Sequence, residues 1–260
     1  MCKVIAIANQ KGGVAKTTTA GNLGIGLAKE GVKVLLVDLD PQGSLTASLG
    51  YKEPDSIEYT IANVLKKVIK DLPLDPQEGI LHHPEGVDLM PGNIELAGTE
   101  ASLVDVMMRE TMLKEYLKRV QDDYQAIIID CMPSLGMLTV NALAAADSVI
   151  IPVQAAFLSV KGMEQLINTI KKVRNRINPA LRIEGILMTM VDGRTTNSKE
   201  VIRLVEEGYG DYVHIFEKSI PSSVRAAEIP ALGVSIYEHD PKGKVAKAYR
   251  SLTEEVIANA

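Results

Sequence analysis

A glycine-containing turn at residues 9–18, Asn-Gln-Lys-Gly-Gly-Val-Ala-Lys-Thr-Thr, constrains the fold of this chain more than any other feature. An apolar run at residues 4–8 precedes the turn, and apolar residues at helical spacing follow it. The pattern predicts a strand, a tight turn and a helix. Such a turn directs successive backbone N–H groups to one point at the positive end of a helix, where phosphate binds. We expect Lys16 to reach the outer phosphates and Thr17 to join a magnesium shell.

The turn departs from the common P-loop pattern G-x-x-x-x-G-K-[ST], because Gln10 and Ala15 stand where that pattern has glycine. It resembles instead the variant loop K-G-G-x-G-K-T-[ST] of the ParA/MinD group of P-loop ATPases, whose additional lysine is Lys11 here. Ala15 departs from the variant as well. Its methyl group narrows the space around the phosphates, or costs strain if the backbone has a positive φ. In a first helical turn with negative φ it is harmless, and the sequence leaves these alternatives open.

Length and composition favour one α/β domain with an aliphatic core. The chain has 260 residues, of which 46% are hydrophobic and only 4% aromatic. No apolar run approaches the ~18 residues that span a membrane, and a strand within three residues of the start leaves no room for a signal peptide. Cys2 and Cys131 give no disulfide framework, so we expect a reducing cytoplasm. The net charge of −5 argues against a globally basic nucleic-acid binder but allows a local basic patch.

Apolar β-type runs alternate with helical patterns along the chain. This alternation predicts an α/β fold of the P-loop NTPase type, with a mostly parallel twisted sheet and helices on both faces. The predicted strands are 3–8, 33–38, 87–90, 126–130, 148–153, 184–191 and 213–216. The predicted helices are 17–30, 56–70, 100–121, 136–145, 161–177, 197–208 and 241–258. Ligands of such sheets bind at the carboxyl ends of the strands, where the motifs discussed here fall.

Two of the predicted strands end in carboxylates. Asp38 and Asp40 follow the run Leu-Leu-Val at i and i+2, so they share a face, and Pro41 ends the strand. Asp130 follows the run Ala-Ile-Ile-Ile in the Walker B arrangement. A carboxylate at such a position can hold magnesium through water or orient an attacking water. We expect Asp130 to accept from metal-bound waters or from the Thr17 hydroxyl.

The segments D-x-D-P-Q at 38–42 and Pro-Ser-Leu-Gly at 133–136 also resemble the family's motifs, with Met132 in place of one proline. The resemblance implies ATP and Mg²⁺ as cofactors. It implies that Asp40 activates water, that Asp38 lies near the metal, and that Thr17, Asp40 and Asp130 form the metal site. The nucleotide-binding residues that it implies are Lys11, Gly12, Gly13, Val14, Ala15, Lys16, Thr17, Thr18, Met190 and Pro221.

The additional lysine of the variant loop has a role in the family that Lys11 inherits by resemblance. There it crosses to the nucleotide of a second subunit in an ATP-sandwiched dimer and acts as a cationic finger in trans. Lys11, Lys16 and Asp40 are therefore the predicted catalytic residues. The resemblance implies a switch that dimerises with ATP, separates after slow hydrolysis, and is stimulated by a partner.

The carboxyl-terminal third resembles the partition ATPases of this group. The similar segments are T-M-x-D-x-R-T at 189–195, I-P-x-x-V-R-x-x-E-x-P at 220–230 and a closing helix after Asp240. In those relatives the two matching arginines lie on a basic face that grips DNA phosphates without reading sequence. The DNA-binding residues predicted in this way are Arg194, Arg225, Lys242, Lys244 and Lys247. Adenine is expected near the strand end at 188–192 and near Pro221.

The resemblance to ParA/Soj-type DNA partition ATPases extends over nearly the full length. It implies a single domain over residues 1–260 without an amino-terminal DNA-binding extension. It implies an ATP-dependent homodimer, nonspecific double-stranded DNA and a ParB-like centromere-binding protein as partners, and a cytoplasmic, nucleoid-associated location. The cargo is expected to be a plasmid or a chromosome.

Three other readings compete with partition. A MinD-like ATPase that positions a membrane or protein cargo would need an amphipathic carboxyl-terminal anchor, whereas residues 250–260 are acidic and weakly apolar, so we expect no stable membrane association. A reductase or cluster carrier would need a pair of cysteines that Cys131 alone does not supply. A regulator of capsule synthesis or conjugation on the same ATPase stays open.

The neighbouring His82 and His83 point to different faces and do not predict a metal pair.

Overall fold

The computed structural model describes residues 2–259, apart from the side chains of residues 157–162. Its centre is a seven-stranded sheet with the order β3-β4-β2-β5-β1-β6-β7. All neighbours pair in parallel except β3 and β4, which are antiparallel. The strands are β1 Lys3–Ile7, β2 Val34–Leu39, β3 Leu81–His82, β4 Asp88–Met90, β5 Ala126–Cys131, β6 Ser148–Gln154 and β7 Arg182–Thr189. The predicted α/β fold with a mostly parallel sheet is confirmed.

Eleven α-helices within the described residues cover both faces of this sheet. They are α1 Lys16–Lys29, α2 Ser44–Ser48, α3 Ile61–Ile69, α4 Glu95–Ser102, α5 Met112–Val120, α6 Met137–Ala145, α7 Phe157–Arg176, α8 Thr196–Tyr209, α9 Val224–Leu232, α10 Ile236–His239 and α11 Lys244–Ala258. Alternate residues of β1 point to opposite faces. Val4 and Ala6 pack in the core under α3, α5, α6 and α7, while Ile5 and Ile7 pack under α1 and α11. No described helix has the length and hydropathy needed to span a bilayer.

Two predicted elements are wrong. Residues 213–216 do not form a strand: Ile215 makes only an isolated bridge to Ile186 of β7. The helix predicted over 100–121 is two helices, α4 and α5, joined by short 3₁₀ turns. Met108 in this connection has a φ of 53°, and a left-handed residue cannot continue an α-helix. The apolar residues nevertheless recur at helical spacing through the break, which is why the pattern misleads.

Helix boundaries shift where local caps override the apolar pattern. The helix predicted from 56 begins at Ile61, because the Thr60 hydroxyl caps it by accepting from Ala62 N and the Asn63 side chain completes a capping box. The helix predicted from 241 begins at Lys244 instead, after the short α10. The sequence pattern does not predict α2, α9, α10 or β3. α9 contains Pro230 in its last turn.

Gly26 provides a stability test of how α1 packs against the carboxyl-terminal helices. A Cβ at Gly26 would meet the Thr253 hydroxyl of α11 and lie 2.6 Å from Tyr237 Oη. We expect Gly26→Ala to lower the free energy of unfolding by about 1–3 kcal/mol through overpacking. Gly98 is also helical, but a Cβ there meets nothing within 4 Å. Gly98→Ala is the matched control and should be neutral or stabilising by up to about 1 kcal/mol. Urea unfolding measures both, and equal effects would contradict this packing.

Candidate nucleotide site

The turn between β1 and α1 lies at the carboxyl edge of the sheet and exposes the amino-terminal turn of the helix. Gly13 and Ala15 have φ values of 69° and 65°, so the backbone bends twice through the left-handed region. Ala15 is the N-cap of α1, and no side chain caps this helix. The first N–H groups of a helix have no partner within the helix. They are therefore available here to an anion such as a phosphate.

Of the two alternatives for Ala15, the structure shows the one with positive φ. Ala15 has a ψ of 32° and is fully left-handed. That conformation costs a residue with a Cβ about 1–2 kcal/mol relative to the right-handed one. The loop therefore keeps the bend of a glycine loop with an alanine in it, and the methyl group borders the space above the turn.

Lys16 is held under the turn. Its side chain is 7% exposed, and Nζ donates to the Lys11 carbonyl at 3.1 Å. Burial lowers the pKa of Lys16, while the nearby Asp130 and Asp40 carboxylates act in the opposite direction. Lys11 N in turn donates to Asn9 Oδ1 at 3.0 Å. An ammonium that is desolvated and close to a helix amino terminus interacts strongly with any anion that enters.

Thr17 and Asp130 meet directly beneath the first turn of α1. The Thr17 hydroxyl donates to Asp130 Oδ2 at 2.7 Å. Asp130 is 1% exposed, and its Oδ1 atom has no hydrogen-bond partner among the described residues. Burial, followed by the charge of Asp38, raises the pKa of Asp130 well above its usual range. A buried carboxylate oxygen without a partner is costly, and a hydrated divalent cation would relieve that cost.

Asp38 and Asp40 take different positions at the end of β2. Asp38 is fully buried and accepts from Thr46 N at 2.8 Å and from the Thr46 hydroxyl at 2.7 Å. Burial raises the pKa of Asp38 to about 6 in spite of these hydrogen bonds. The other Asp38 oxygen accepts from Asp40 N at 3.3 Å. Asp38 thus holds the turn that carries Asp40, and Thr46 is a supporting residue that no sequence pattern indicated.

The acidic groups around Lys16 fit a cation that keeps most of its water. Asp38, Asp40 and Asp130 act electrostatically on one another or on Lys16, which leaves an excess of negative charge. Within residues 2–259, no three His, Cys, Asp or Glu side chains are close enough to hold a metal by themselves. Mg²⁺ is usually bound by one or two protein oxygens together with waters and substrate phosphates. Thr17 and Asp130 are the residues present that suit this mode.

A cleft of about 460 Å³ opens beside the turn and gathers the residues predicted for adenine. Gly13, Ala15 and Thr18 line this cleft together with Met190 and Pro221. The sequence interpretation did not single out several further lining residues: Ile220, Ser222, Ser223, Val224, Ala226, Ala227 and Tyr249. Most of these belong to the 220–230 segment, in which the sequence analysis assigns roles only to Pro221 and Arg225. Tyr249 lies in α11, where its position fits the apolar periodicity of the helix and therefore indicates a core residue.

Two contacts fix the cleft to the phosphate turn. Thr189 at the end of β7 donates from its hydroxyl to the Val14 carbonyl at 3.0 Å. The Tyr249 and Thr19 hydroxyls lie 3.2 Å apart and join α11 to α1. Both contacts are buried. The base-sized cleft and the phosphate turn therefore form one continuous site.

The residues predicted to contact DNA lie outside this cleft on the surface. Arg194 is 91% exposed and contacts Asp192 with Nε at 3.0 Å and Nη2 at 3.1 Å. Arg225 lies 3.8 Å from Glu228 and immediately follows Val224, which lines the cleft. The three lysines predicted for this face are exposed around the start of α11: Lys242, Lys244 and Lys247.

The histidine pair and Cys131 take structural positions. His82 Nδ1 lies 2.5 Å from Asp88 Oδ1, and the buried His83 accepts from Glu85 N. Their rings therefore serve different partners. Cys131 is buried, and burial raises the pKa of its thiol far above the ordinary value. A thiol in this state is a poor nucleophile and a poor metal ligand.

Comparisons with known proteins find ATPases among the proteins that this chain resembles. The family model described as AAA domain matches residues 2–183. The chain is 44% identical to the sporulation initiation inhibitor protein Soj of Bacillus subtilis, with 100% of both chains covered. It is 42% identical to the chromosome-partitioning ATPase Soj of Thermus thermophilus, covering 98% of this chain and 95% of that one. A Mycobacterium smegmatis structure named cobyrinic acid a,c-diamide synthase, with bound ATP analog and magnesium, aligns with a TM-score of 0.87 at 39% identity, covering 100% of this chain and 96% of that one.

The strained alanine gives the first test of the phosphate turn. Ala15→Gly keeps the left-handed bend and removes the methyl group, so we expect equal or higher affinity for ATP. Ala15→Val places a β-branched residue in the same conformation, which is strongly disfavoured, and should weaken binding or unfold the loop. Calorimetric titration of ATP measures both. A loss of affinity in Ala15→Gly would mean that the methyl group contributes a needed contact.

Asp130 gives a second test, which separates metal binding from folding. Asp130→Asn preserves an acceptor for Thr17 but removes the buried charge, so the magnesium-dependent gain in ATP affinity should fall by about tenfold or more. Because burial raises the pKa of Asp130, its ionisation opposes folding, and the wild type loses stability as pH rises above the unfolded value of about 4. The variant should lose less over that range in unfolding measured without nucleotide. An unchanged magnesium effect would exclude Asp130 from the metal site.

Proposed function

The chain belongs to the AAA-domain family of ATPases that includes the Soj chromosome-partitioning proteins, and from this premise we propose that it is a DNA partition switch. In this proposal ATP binding brings two copies together, the dimer binds duplex DNA tightly without sequence preference, and hydrolysis separates the two copies and ends the tight binding. The observation that carries the ATPase part is the buried Thr17–Asp130 pair under an uncapped helix amino terminus, beside a base-sized cleft.

Each group in the site has a role in hydrolysis under this proposal. The N–H groups of the turn and Lys16 bind the triphosphate and neutralise charge as it develops on the transferred phosphoryl group. Magnesium, when bound through Thr17 and Asp130, supplies further charge neutralisation. Asp40 orients the attacking water, and Asp38 holds Asp40 in place through its backbone N–H. The catalysis proposed is mostly positioning, which suits a slow enzyme that a partner accelerates.

Lys11 is the proposed link to the second copy. Its backbone is fixed on both sides, because its N–H donates to Asn9 and its carbonyl accepts from Lys16. We assign its side chain to the nucleotide of the partner copy, where it would act in trans. This role makes the dimer the active form and makes ATP the signal for assembly.

The DNA face of the proposal consists of Arg194, Arg225 and the lysines at the start of α11. Its charges are exposed on the segments that border the nucleotide cleft, so ATP-dependent dimerisation would bring two such faces together. Nonspecific binding needs only cations that replace the counterions of the phosphates. A ParB-like centromere-binding protein is the proposed stimulating partner, the nucleoid is the proposed location, and residues 1–260 are proposed to act as one domain.

The carboxyl-terminal helix argues for DNA over a membrane target. In α11 the apolar residues Val245, Leu252 and Val256 are buried in the core, and only Ile257 is a large apolar residue exposed to solvent, at 40%. An interfacial helix needs a free apolar face with cations beside it. Here that face is already packed against the protein, so a MinD-like membrane cargo is the weaker alternative.

The experiment that tests the proposal measures duplex binding with ATP, with ADP and without nucleotide over a salt series. We expect binding to be tightest with ATP and to weaken steeply with salt. Arg225→Glu should weaken ATP-dependent binding about tenfold and lower the salt slope by about one unit. Arg119→Glu on α5 is the control for charge reversal at an exposed arginine. Asp40→Ala should bind ATP and DNA but fail to release DNA.

Three results would contradict separate parts of the proposal. If ATP drives dimerisation but the dimer binds no DNA, the protein is still an ATP-dependent switch, and the switch acts on a target other than DNA. Normal turnover by Asp40→Ala would remove that carboxylate from the hydrolytic step. Equal losses for Arg225→Glu and Arg119→Glu would mean that net charge, and not a defined face, controls binding.

A further inference from the structure

A second basic surface lies at the end of α7, away from the residues assigned to DNA so far. Residues 171–182, Lys-Lys-Val-Arg-Asn-Arg-Ile-Asn-Pro-Ala-Leu-Arg, contain five cations and no acid, in a chain whose net charge is −5. We call these five residues the α7 basic strip: Lys171, Lys172, Arg174, Arg176 and Arg182. Such a concentration of one sign is the usual electrostatic mark of a surface that binds a polyanion.

The strip faces solvent and its charges are not neutralised within the protein. All five residues are exposed, whereas the neighbouring Ile170 and Val173 are buried and fix the helix against the core. Over residues 2–259 none of the five side chains takes part in a hydrogen bond or ion pair. In contrast, Arg194 and Arg225 each contact a neighbouring acid. The strip is therefore the more available of the two basic surfaces.

Helix stability alone does not account for these residues. Cations in the last turn favour the negative end of the helix dipole, and Arg174 and Arg176 occupy that turn. The effect falls off beyond one turn. The helix dipole therefore does not explain Lys171 and Lys172 earlier in the helix, or Arg182 at the start of β7. It also does not explain why the whole segment contains no acidic residue.

The strip lies at the opposite edge of the sheet from the nucleotide site. It surrounds the beginning of β7 at Arg182, whereas Met190, which lines the cleft, follows the end of β7 at Thr189. A strand rises about 3.3 Å per residue, so the two ends of β7 are about 23 Å apart. ATP at the cleft therefore does not touch the strip, and the strip does not depend on the geometry of the cleft.

We propose that the α7 basic strip binds the phosphate backbone of duplex DNA independently of nucleotide, as a second contact besides the face of Arg194 and Arg225. The proposal rests on the proposed DNA binding and adds a separate surface to it. A duplex suits the strip better than a lipid surface does, because the exposed residues between the cations are only Asn175, Pro179 and Ala180. Insertion into a bilayer interface needs larger apolar side chains.

This arrangement assigns different tasks to the two surfaces. The strip keeps the nucleotide-free or ADP-bound protein weakly and reversibly attached to DNA. The face near the cleft adds tight binding when ATP is present. Each phosphate contact contributes about 0.9 to the slope of log affinity against log salt. The strip should therefore contribute the whole slope without ATP and part of the slope with ATP.

The test compares two triple variants with equal changes in charge. The strip variant carries Lys171→Gln, Lys172→Gln and Arg176→Gln. The control carries Lys70→Gln at the C-cap of α3, with Lys114→Gln and Arg119→Gln on α5. These positions likewise have no ion pair among the described residues. Binding of the full chain to a fluorescent 40-base-pair duplex is measured over a salt series with ATP, with ADP and without nucleotide. Thermal unfolding and ATP affinity report on folding.

We expect the strip variant to lose the binding that remains without ATP and to have a salt slope lower by about 2 to 3 units with ATP. The control should keep both within error. Equal losses of DNA binding in the two triple variants would overturn the proposal, because they would mean that net charge, and not the strip, controls binding. Unchanged binding by a folded strip variant would overturn it as well. If the triple variant unfolds, Lys171→Gln with Lys172→Gln alone should lower the slope by about 1 to 2 units.

Two further arms distinguish the failure of this proposal from the failure of the proposed function. Sedimentation with vesicles containing phosphatidylglycerol is run in parallel, and loss of vesicle binding without loss of DNA binding would assign the strip to lipid. If the wild type binds no DNA with any nucleotide, both proposals fail. If the wild type binds DNA with ATP and the strip variant binds DNA as well as the wild type, the proposal for the strip fails and the proposed function stands.

Discussion

The parallel pairing of β5 with β1 and β2 determines where every group of the nucleotide site lies. In this register Asp130 is opposite both Ile7, at the end of β1, and Asp38 of β2. The phosphate turn begins two residues after Ile7, and Asp40 lies two residues after Asp38. One level of the sheet therefore positions the anion-binding turn and the three carboxylates. A slip of one residue in β5 would reverse the faces of its side chains and turn Asp130 away from Thr17.

This arrangement concentrates like charges where water is excluded, and the raised pKa values of the acids reflect the free-energy cost. Burial raises the pKa values of Asp38 and Asp130, and the charge of Lys16 acts in the opposite direction on the pKa of Asp130. A site with surplus buried negative charge favours a divalent cation, whereas the turn above it favours an anion. The two preferences are satisfied together by a magnesium–triphosphate complex better than by either part alone. The strain at Ala15 and the orphan oxygen of Asp130 lie at the same place, as expected where local rules yield to a binding site.

The sequence predicted the central sheet, and which residues lie together at its carboxyl edge, more reliably than the peripheral elements. Long aliphatic runs ending in Asp, and a glycine turn between a strand and a helix, have few alternative folds, so β1, β2, β5 and α1 are placed within a residue or two. Met108 and Ala15 show what the sequence cannot decide, because both adopt positive φ without glycine. The sequence pattern does not predict α9, because Pro230 and small residues obscure its helical periodicity. In the structure, Lys52 stabilises the carboxyl end of α9 by donating to the Pro230 and Ala231 carbonyls. These features depend on tertiary contacts that local propensity does not contain.

The charges on the surface differ in availability, and this difference matters for any polyanion that the protein binds. A phosphate that approaches Arg194 must compete with Asp192, and one that approaches Arg225 must compete with Glu228, which His239 also contacts at 2.7 Å. Exposed pairs of this kind are weak individually, so they lower the affinity of one face without blocking it. Presenting two faces together in a dimer multiplies the gain from each, whereas a single copy gains little. The α7 basic strip has no such competition within the described chain. Under the proposed function, the paired arginines are suited to binding that depends on assembly, and the unpaired strip is suited to binding that does not.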